Sequence, residues 1–162
     1  MAKGDFGEHL AAMLLSQWTV QGQLFDIVMI GGKWPTIDVY AEISSAGNQK
    51  MVCFFQVKST ELGYTKHTHR RLKIQVPKDK VNKLSAYSAP TYLIGVDYKR
   101  LNWPTSVAYI KTIRGSYLHG ISSMETTNVV NPANLILLKN EVEAFWQAIN
   151  PSAQKNIYLT NF

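Results

Sequence analysis

Hydrophobic residues recur at every third or fourth position near the start of the chain. They are Phe6, Leu10, Met13, Leu14 and Trp18. Because an α-helix repeats every 3.6 residues, this spacing places them along one side of a helix. The pattern predicts an amphipathic helix from Asp5 to about Trp18, with Asp5 as its cap or first-turn acid.

Short apolar or alternating runs follow, and these are typical of β-strands. The predicted strands cover residues 24–30, 36–44, 51–57, 72–76, 91–97 and 106–110. The second strand alternates, so that Asp38, Tyr40 and Glu42 share one face and apolar side chains occupy the other. The third strand, MVCFFQV, is apolar almost throughout, as expected of a strand that is covered on both faces.

Two further helices are predicted, over residues 78–85 after Pro77 and over residues 139–149. Residues 59–71 indicate a loop, and residues 114–134 are polar and predict no regular element. A chain that mixes helices with strands in this order is typical of the α/β class. We therefore expect a mixed central β-sheet flanked by helices.

The composition argues against a disordered, membrane-spanning or disulfide-bonded protein. The chain has 162 residues, of which 46% are hydrophobic and 17% charged, as in one folded domain rather than a disordered chain. No apolar run approaches the roughly 18–20 residues that span a bilayer, and the N-terminus lacks a secretory pattern. The single cysteine, Cys53, cannot form an internal disulfide. We expect a cytoplasmic protein without a membrane segment.

Positive charge is concentrated in the middle of the chain. The net charge is +6, but residues 50–100 contain eleven Lys and Arg residues against three acids. The densest run, KHTHRRLK, supplies the candidate nucleic-acid contacts Lys66, His69, Arg70, Arg71 and Lys73. A solvated basic face without a partner is the alternative.

Four polar residues stand out because of their places in the predicted strands and in the first helix. Asp38 lies on the second strand, and Glu8 lies within the first helix. Gln56 and Lys58 end the most hydrophobic strand two residues apart, so both side chains point to one face. A lysine in that position needs a nearby carboxylate or phosphate, and Asp38 on a neighbouring strand could supply it.

These residue types suit metal-assisted hydrolysis of a phosphodiester. The Asp38 carboxylate can hold Mg²⁺ (or Mn²⁺), since this hard ion prefers oxygen ligands. The amide oxygen of Gln56 and the backbone carbonyl of Val57 could fill further positions. Lys58 could orient the attacking water and stabilise the phosphate, while Glu8 could reach the metal through a water.

The same residues carry a resemblance to a known family. The runs TIDVYAEI (36–43) and FFQVKST (54–60) resemble the D…(D/E/Q)xK core of the PD-(D/E)XK nuclease superfamily. The start, GDFGE, resembles the helix with an inward-facing glutamate ahead of that core in many members, including Holliday junction resolvases. PTYLIGVD (90–97) resembles the strand after the core in the DUF4365 domain, a bacterial subfamily of unassigned function. That subfamily shares the QxK variant with the Mrr-like restriction group.

The resemblance implies a single restriction-endonuclease-like domain over residues 1–162, with its core at about 4–110 and a C-terminal helical part at about 111–162. It implies a metal-dependent DNA endonuclease in a defence, repair or mobile-element setting, with Mg²⁺ or Mn²⁺ as cofactor and DNA as partner. Asp38 would bind metal, Gln56 would replace the usual second acid, Lys58 would be the catalytic lysine and Glu8 an accessory acid. Such nucleases often work as homodimers, because a two-strand cut needs two sites, but nothing in this sequence identifies an interface.

Alternatives remain open at this level. Gln56 in place of an acid favours a non-catalytic nucleic-acid-binding module or complex subunit that keeps the nuclease fold. Asp38 could simply pair across a strand edge. Glu42, on the same strand face, is either a second ligand or a surface acid. Cys53 lies within an apolar strand, which argues against a thiol nucleophile.

Overall fold

The computed structural model of the chain describes residues 3–44, 50–98, 107–148, 159, 161 and 162. These residues form the following helices and strands, in chain order: α1 (Lys3–Leu15), β1 (Trp18–Thr19), β2 (Gly22–Gln23), β3 (Phe25–Trp34), β4 (Ile37–Ile43), β5 (Val52–Thr60), β6 (Arg71–Val76), α2 (Lys78–Ser85), β7 (Thr91–Asp97), β8 (Ala108–Thr112), β9 (Ile121–Glu125) and α3 (Pro132–Gln147). None of the described helices combines the length and apolar character needed to cross a bilayer.

A five-stranded mixed sheet forms the centre of the fold, in the order β3-β4-β5-β7-β8. β5 and β7 run parallel, while the other neighbouring pairs are antiparallel. Parallel neighbours need a long crossover connection, and here it contains β6 and α2. The expectation of a mixed α/β sheet flanked by helices is confirmed.

Each face of this sheet is covered by a different layer. α1 and α3 pack on one face around Leu14, Phe55 and Val142. On the other face, α2 and the two-stranded β6–β9 sheet pack around Leu72, Leu84 and other apolar side chains. Strand β7 is buried along its whole length, because it lies between two strands and under both layers.

The sequence predicted several elements at their observed bounds and misplaced the ends of others. α2 and β7 coincide with the predicted residues 78–85 and 91–97. The first helix, however, ends at Leu15, so the prediction of helix to Trp18 is wrong. Trp18 instead begins β1 and is 75% exposed. Gly22, with φ of +90°, supports the tight connection that follows between β1 and β2.

Strand β3 continues through the glycine pair that was predicted to end it. The strand reaches Trp34, and its pairing with β4 shifts register between Met29 and Trp34. Gly31 adopts φ of +55° within this irregular stretch. Since glycine tolerates such a conformation, the chain absorbs the extra residues as a bulge rather than stopping the strand.

The C-terminal part is not wholly helical, which corrects the expectation for residues 111–162. It contains β9, which pairs with the distant β6, and the end of β8. α3 begins at Pro132 rather than at residue 139, because Asn131 caps it by accepting the N–H of Asn134 at 2.9 Å. Residues 106 and 149, the outer ends of a predicted strand and helix, lie outside the described residues.

Candidate active site

Asp38 lies where the pairing between β4 and β5 ends. The last paired residues are Val39 and Phe55. Continued by one position, the same register places Asp38 opposite Gln56. Asp38 Oδ2 accepts the backbone N–H of Val57 at 2.7 Å and also accepts the side-chain amide of Gln56. A carboxylate therefore binds an N–H at the end of the ladder, and this holds Asp38 against β5.

The buried side chain of Gln56 lies between two oxygen atoms. Its amide nitrogen donates to Asp38 and lies 3.4 Å from the carbonyl oxygen of Val57. A 180° flip of the side-chain amide would place the Gln56 oxygen where its nitrogen now lies, beside Asp38 and the Val57 carbonyl. Three oxygens of the kinds that Mg²⁺ prefers would then meet there. The structure thus brings together the three groups that the sequence predicts as metal ligands.

Lys58 is partly exposed beside this group. It follows Gln56 by two residues along β5, so both side chains project from one face of the strand. Its neighbour across the sheet is Gly95 of β7, which carries no side chain. The charge of Lys58 lowers the pKa of Asp38, yet the described residues include no direct ion pair to Lys58. Its ammonium group remains available to a phosphate.

Helix α1 delivers Glu8 to the same place because it packs closely on β5. A Cβ atom at Gly7 would overlap the hydroxyl of Ser59, so glycine permits this close approach. Burial raises the pKa of Glu8, and the negative charges of Asp38 and Asp5 raise it further. Glu8 therefore lies within the electrostatic influence of Asp38.

Opposing effects act on the pKa of Asp38. Burial is the largest and raises it, because a carboxylate loses hydration there. The N–H of Val57, the charge of Lys58 and the amide of Gln56 lower it, and so does the charge of Lys80. Sequence reasoning did not single out Lys80. In the sequence, only its place in the first turn of the helix after Pro77 distinguishes Lys80. Its effect on Asp38 depends on how α2 packs on the sheet.

The basic segment lies on the β6–β9 side and in the loop before β6. Lys66, His69 and Arg70 are exposed, and the Arg70 guanidinium stacks over the Tyr64 ring at 4.9 Å. Arg71 donates to Ser123 at 3.0 Å and to Glu125 at 3.2 Å. Lys73 is half-buried on β6. Within the described part of the chain, none of these residues forms a hydrogen bond or ion pair with Asp38, Gln56 or Lys58.

The surroundings of Glu42 and Cys53 account for both side chains. Glu42 accepts the Tyr40 hydroxyl at 3.0 Å and pairs with Lys50 at 3.5 Å, which favours the interpretation of a surface acid. Cys53 is fully buried, and burial raises the pKa of its thiol. A buried neutral thiol is a poor nucleophile. In the described part of the chain, no three His, Cys, Asp or Glu side chains form a metal-binding cluster.

Comparison of the chain with protein-family models, with curated proteins and with solved structures finds no match. The interpretation of the site therefore rests on its own geometry: a carboxylate, an amide and a carbonyl oxygen on adjacent strands, with a lysine and a second carboxylate beside them. Such a set of groups can hold a divalent cation and a phosphate together.

Proposed function

We propose that the protein is a metal-dependent DNA endonuclease that hydrolyses phosphodiester bonds with Mg²⁺ or Mn²⁺. The observation that carries the proposal is the meeting of Asp38, Gln56 and Lys58 at the end of the β4–β5 ladder, with Glu8 delivered by α1. These residues come from three separate elements. Packing of the apolar core does not by itself require these polar side chains to lie together.

The donor set fits a hard divalent cation. Asp38 would hold it through a carboxylate, Gln56 through its amide oxygen and Val57 through its carbonyl. When bound, such an ion polarises the phosphate and makes a coordinated water more acidic. The donor set contains one firm carboxylate, so we expect weak affinity and a requirement for millimolar metal.

The chain's own residues supply the remaining chemistry. Lys58 places a positive charge beside Asp38, where it can donate to a phosphate oxygen and stabilise the charge that grows in the transition state. Glu8 has a raised pKa, which makes it a better proton acceptor for the attacking water than an exposed glutamate. The backbone N–H of Val57 fixes the orientation of Asp38.

DNA is the proposed substrate because basic side chains are exposed in the loop before β6 and at the start of that strand. His69, Arg70 and Arg71 line a cleft of about 580 Å³ together with three threonines. Guanidinium and hydroxyl groups are common phosphate contacts in protein–DNA complexes. A homodimer and the biological setting, whether defence, repair or mobile elements, remain part of the proposal.

Cleavage of supercoiled plasmid, linear duplex and branched DNA by the purified protein tests the proposal. We expect product with Mg²⁺ or Mn²⁺ on at least one substrate and none with EDTA. Absence of metal-dependent product on all three substrates contradicts it.

One observation favours a second function, a non-catalytic nucleic-acid-binding module. The Asp38 carboxylate already accepts two hydrogen bonds, from Gln56 and Val57, and an amide stands where a second acid would strengthen metal binding. Calorimetry with Mn²⁺ separates the two functions. A nuclease takes up Mn²⁺ and loses this uptake in Asp38→Ala, whereas a non-catalytic module takes up none.

A further inference from the structure

A second group of cations lies at β8, the opposite edge of the central sheet from β3. Lys111 is part of β8, Arg114 follows the strand, and Arg71 reaches the same place from β6. Lys111 and Arg114 line a cleft of about 390 Å³ that also contains Glu125. Glu125 lines the neighbouring cleft beside Arg71 as well, so the two clefts adjoin.

Lys111 is in an unusual position for a lysine. It is half-buried, and among the described residues it makes no direct ion pair. Burial lowers its pKa, as do the charges of Arg71 and Arg114, and only Glu125 opposes this. The Glu125 carboxylate already binds Arg71 at 3.2 Å. A partly buried cation among other cations is costly unless an anion is bound nearby.

The position of the cluster relative to the candidate active site suggests what the anion is. In the register of the sheet, Gln56 pairs with Leu93, and Leu93 pairs with Lys111. Two strand spacings amount to about 10 Å. The β6–β9 layer covers Leu93 between the two places. Since a duplex turn is about 34 Å long, a DNA molecule that runs from Asp38 over this layer would be long enough to reach β8.

We propose that Lys111, with Arg71 and Arg114, binds a backbone phosphate of the DNA at the β8 edge, separately from the site of hydrolysis. The identity of the ligand rests on the proposed function, since a polynucleotide is what would reach both places. Ser116 and Tyr117 line the same cleft and add hydroxyl donors. Glu125 lies in the cleft too, and its pairing with Arg71 reduces its repulsion of an anion.

Binding of a fluorescein-labelled duplex, followed by anisotropy in EDTA over a salt series, tests this site. Lys111→Gln removes the charge and keeps a side chain of similar length. The plot of log K against log salt has a negative slope, and each lost phosphate contact makes that slope less steep by about 0.9. We expect that change in Lys111→Gln, with binding several-fold weaker at low salt. Lys50→Gln is the matched control, because Lys50 is exposed and forms only a surface pair with Glu42.

Arg114→Gln is a second variant, at an exposed position where loss of folding is not expected. Circular dichroism melting checks all three proteins. A slope unchanged in both Lys111→Gln and Arg114→Gln overturns the proposal, as does wild-type protein that binds no duplex. Inorganic phosphate is added as a competitor, and displacement of the duplex by low-millimolar phosphate would indicate a small-anion site instead.

The two proposals fail separately. A lowered salt slope without any metal-dependent cleavage retains the β8 phosphate site and refutes hydrolysis. Metal-dependent cleavage with an unchanged slope retains hydrolysis and refutes the β8 site.

Discussion

The contact between α1 and β5 at Gly7 gives the sharpest stability prediction. A Cβ atom at this position would overlap Ser59 Oγ, and it would lie 3.2 Å from Ser59 Cβ and 3.8 Å from Val57 Cγ1. The Ser59 hydroxyl is buried and has no hydrogen-bond partner among the described residues. Gly7→Ala must therefore move the helix or rotate the serine.

Two effects of opposite sign determine the size of the change. Overpacking a tight contact costs about 1–3 kcal/mol, while replacing a glycine inside a helix by alanine returns about 1 kcal/mol. We expect Gly7→Ala to lower the free energy of unfolding by up to about 2 kcal/mol. Ser59→Ala removes the overlapping hydroxyl and an unpaired buried polar atom, so we expect it to be neutral or stabilising.

A double-mutant cycle isolates the contact. Urea unfolding of the wild type, both single variants and Gly7→Ala/Ser59→Ala gives the coupling energy. We expect Gly7→Ala to be neutral or stabilising in the Ser59→Ala background, with a coupling energy of about 1–2 kcal/mol. Effects that add to within about 0.5 kcal/mol would refute the close approach, and with it the placement of Glu8 beside Asp38.

Three further predictions concern other parts of the fold. Burial raises the pKa of Asp38 in the folded state above its ordinary value of 3.8. The folded state therefore binds this proton more tightly than the unfolded state does. The stability that proton binding adds at low pH is lost as the pH rises through the raised pKa. Asp38→Asn should therefore raise the urea midpoint at pH 7, with the gain disappearing below about pH 3.8, whereas Asp26→Asn at an exposed strand position should not. Tyr92→Phe removes the hydroxyl that donates to the buried side chain of Glu141 at 2.8 Å. Because a buried acceptor then loses a donor, we expect a loss of about 1–3 kcal/mol in urea unfolding, and a loss below about 0.5 kcal/mol would count against this hydrogen bond. Asn131→Ala removes the cap of α3 and should cost about 1 kcal/mol in the same measurement, while Asn131→Asp should retain most of the stability.

The sequence predicted those parts of the molecule that depend on local pattern. The alternation around Asp38 and the apolar strand ending in Gln56 and Lys58 are both local, and both strands appear where they were expected. That Asp38 stands opposite Gln56 depends on strand register, which the alternation of β4 restricts because a slip by one residue would bury its polar face.

The parts that could not be predicted depend on long-range packing. β9 is a short, polar strand whose stability comes from pairing with β6, about fifty residues earlier in the chain. The first turns of α3 carry apolar residues on several sides. The 3.6-residue repeat of hydrophobic positions that indicates a helix is therefore weak before residue 139. Lys80 and Lys111 acquire their charged neighbours only when α2 and β6 pack on the sheet.

The proposal that Asp38 and Lys58 carry out metal-dependent hydrolysis of DNA is tested most directly by the rate of plasmid cleavage. Asp38→Ala and Lys58→Ala are measured beside two matched controls. Asp26→Ala and Lys50→Ala remove the same charges from exposed positions. We expect metal-dependent cleavage by the wild type and both controls, and a loss of at least about a hundredfold in the two site variants, which is the size usual for a group that stabilises transition-state charge. Circular dichroism melting confirms that all five proteins are folded. Cleavage that survives in Asp38→Ala and Lys58→Ala at the rate of the controls would contradict the account.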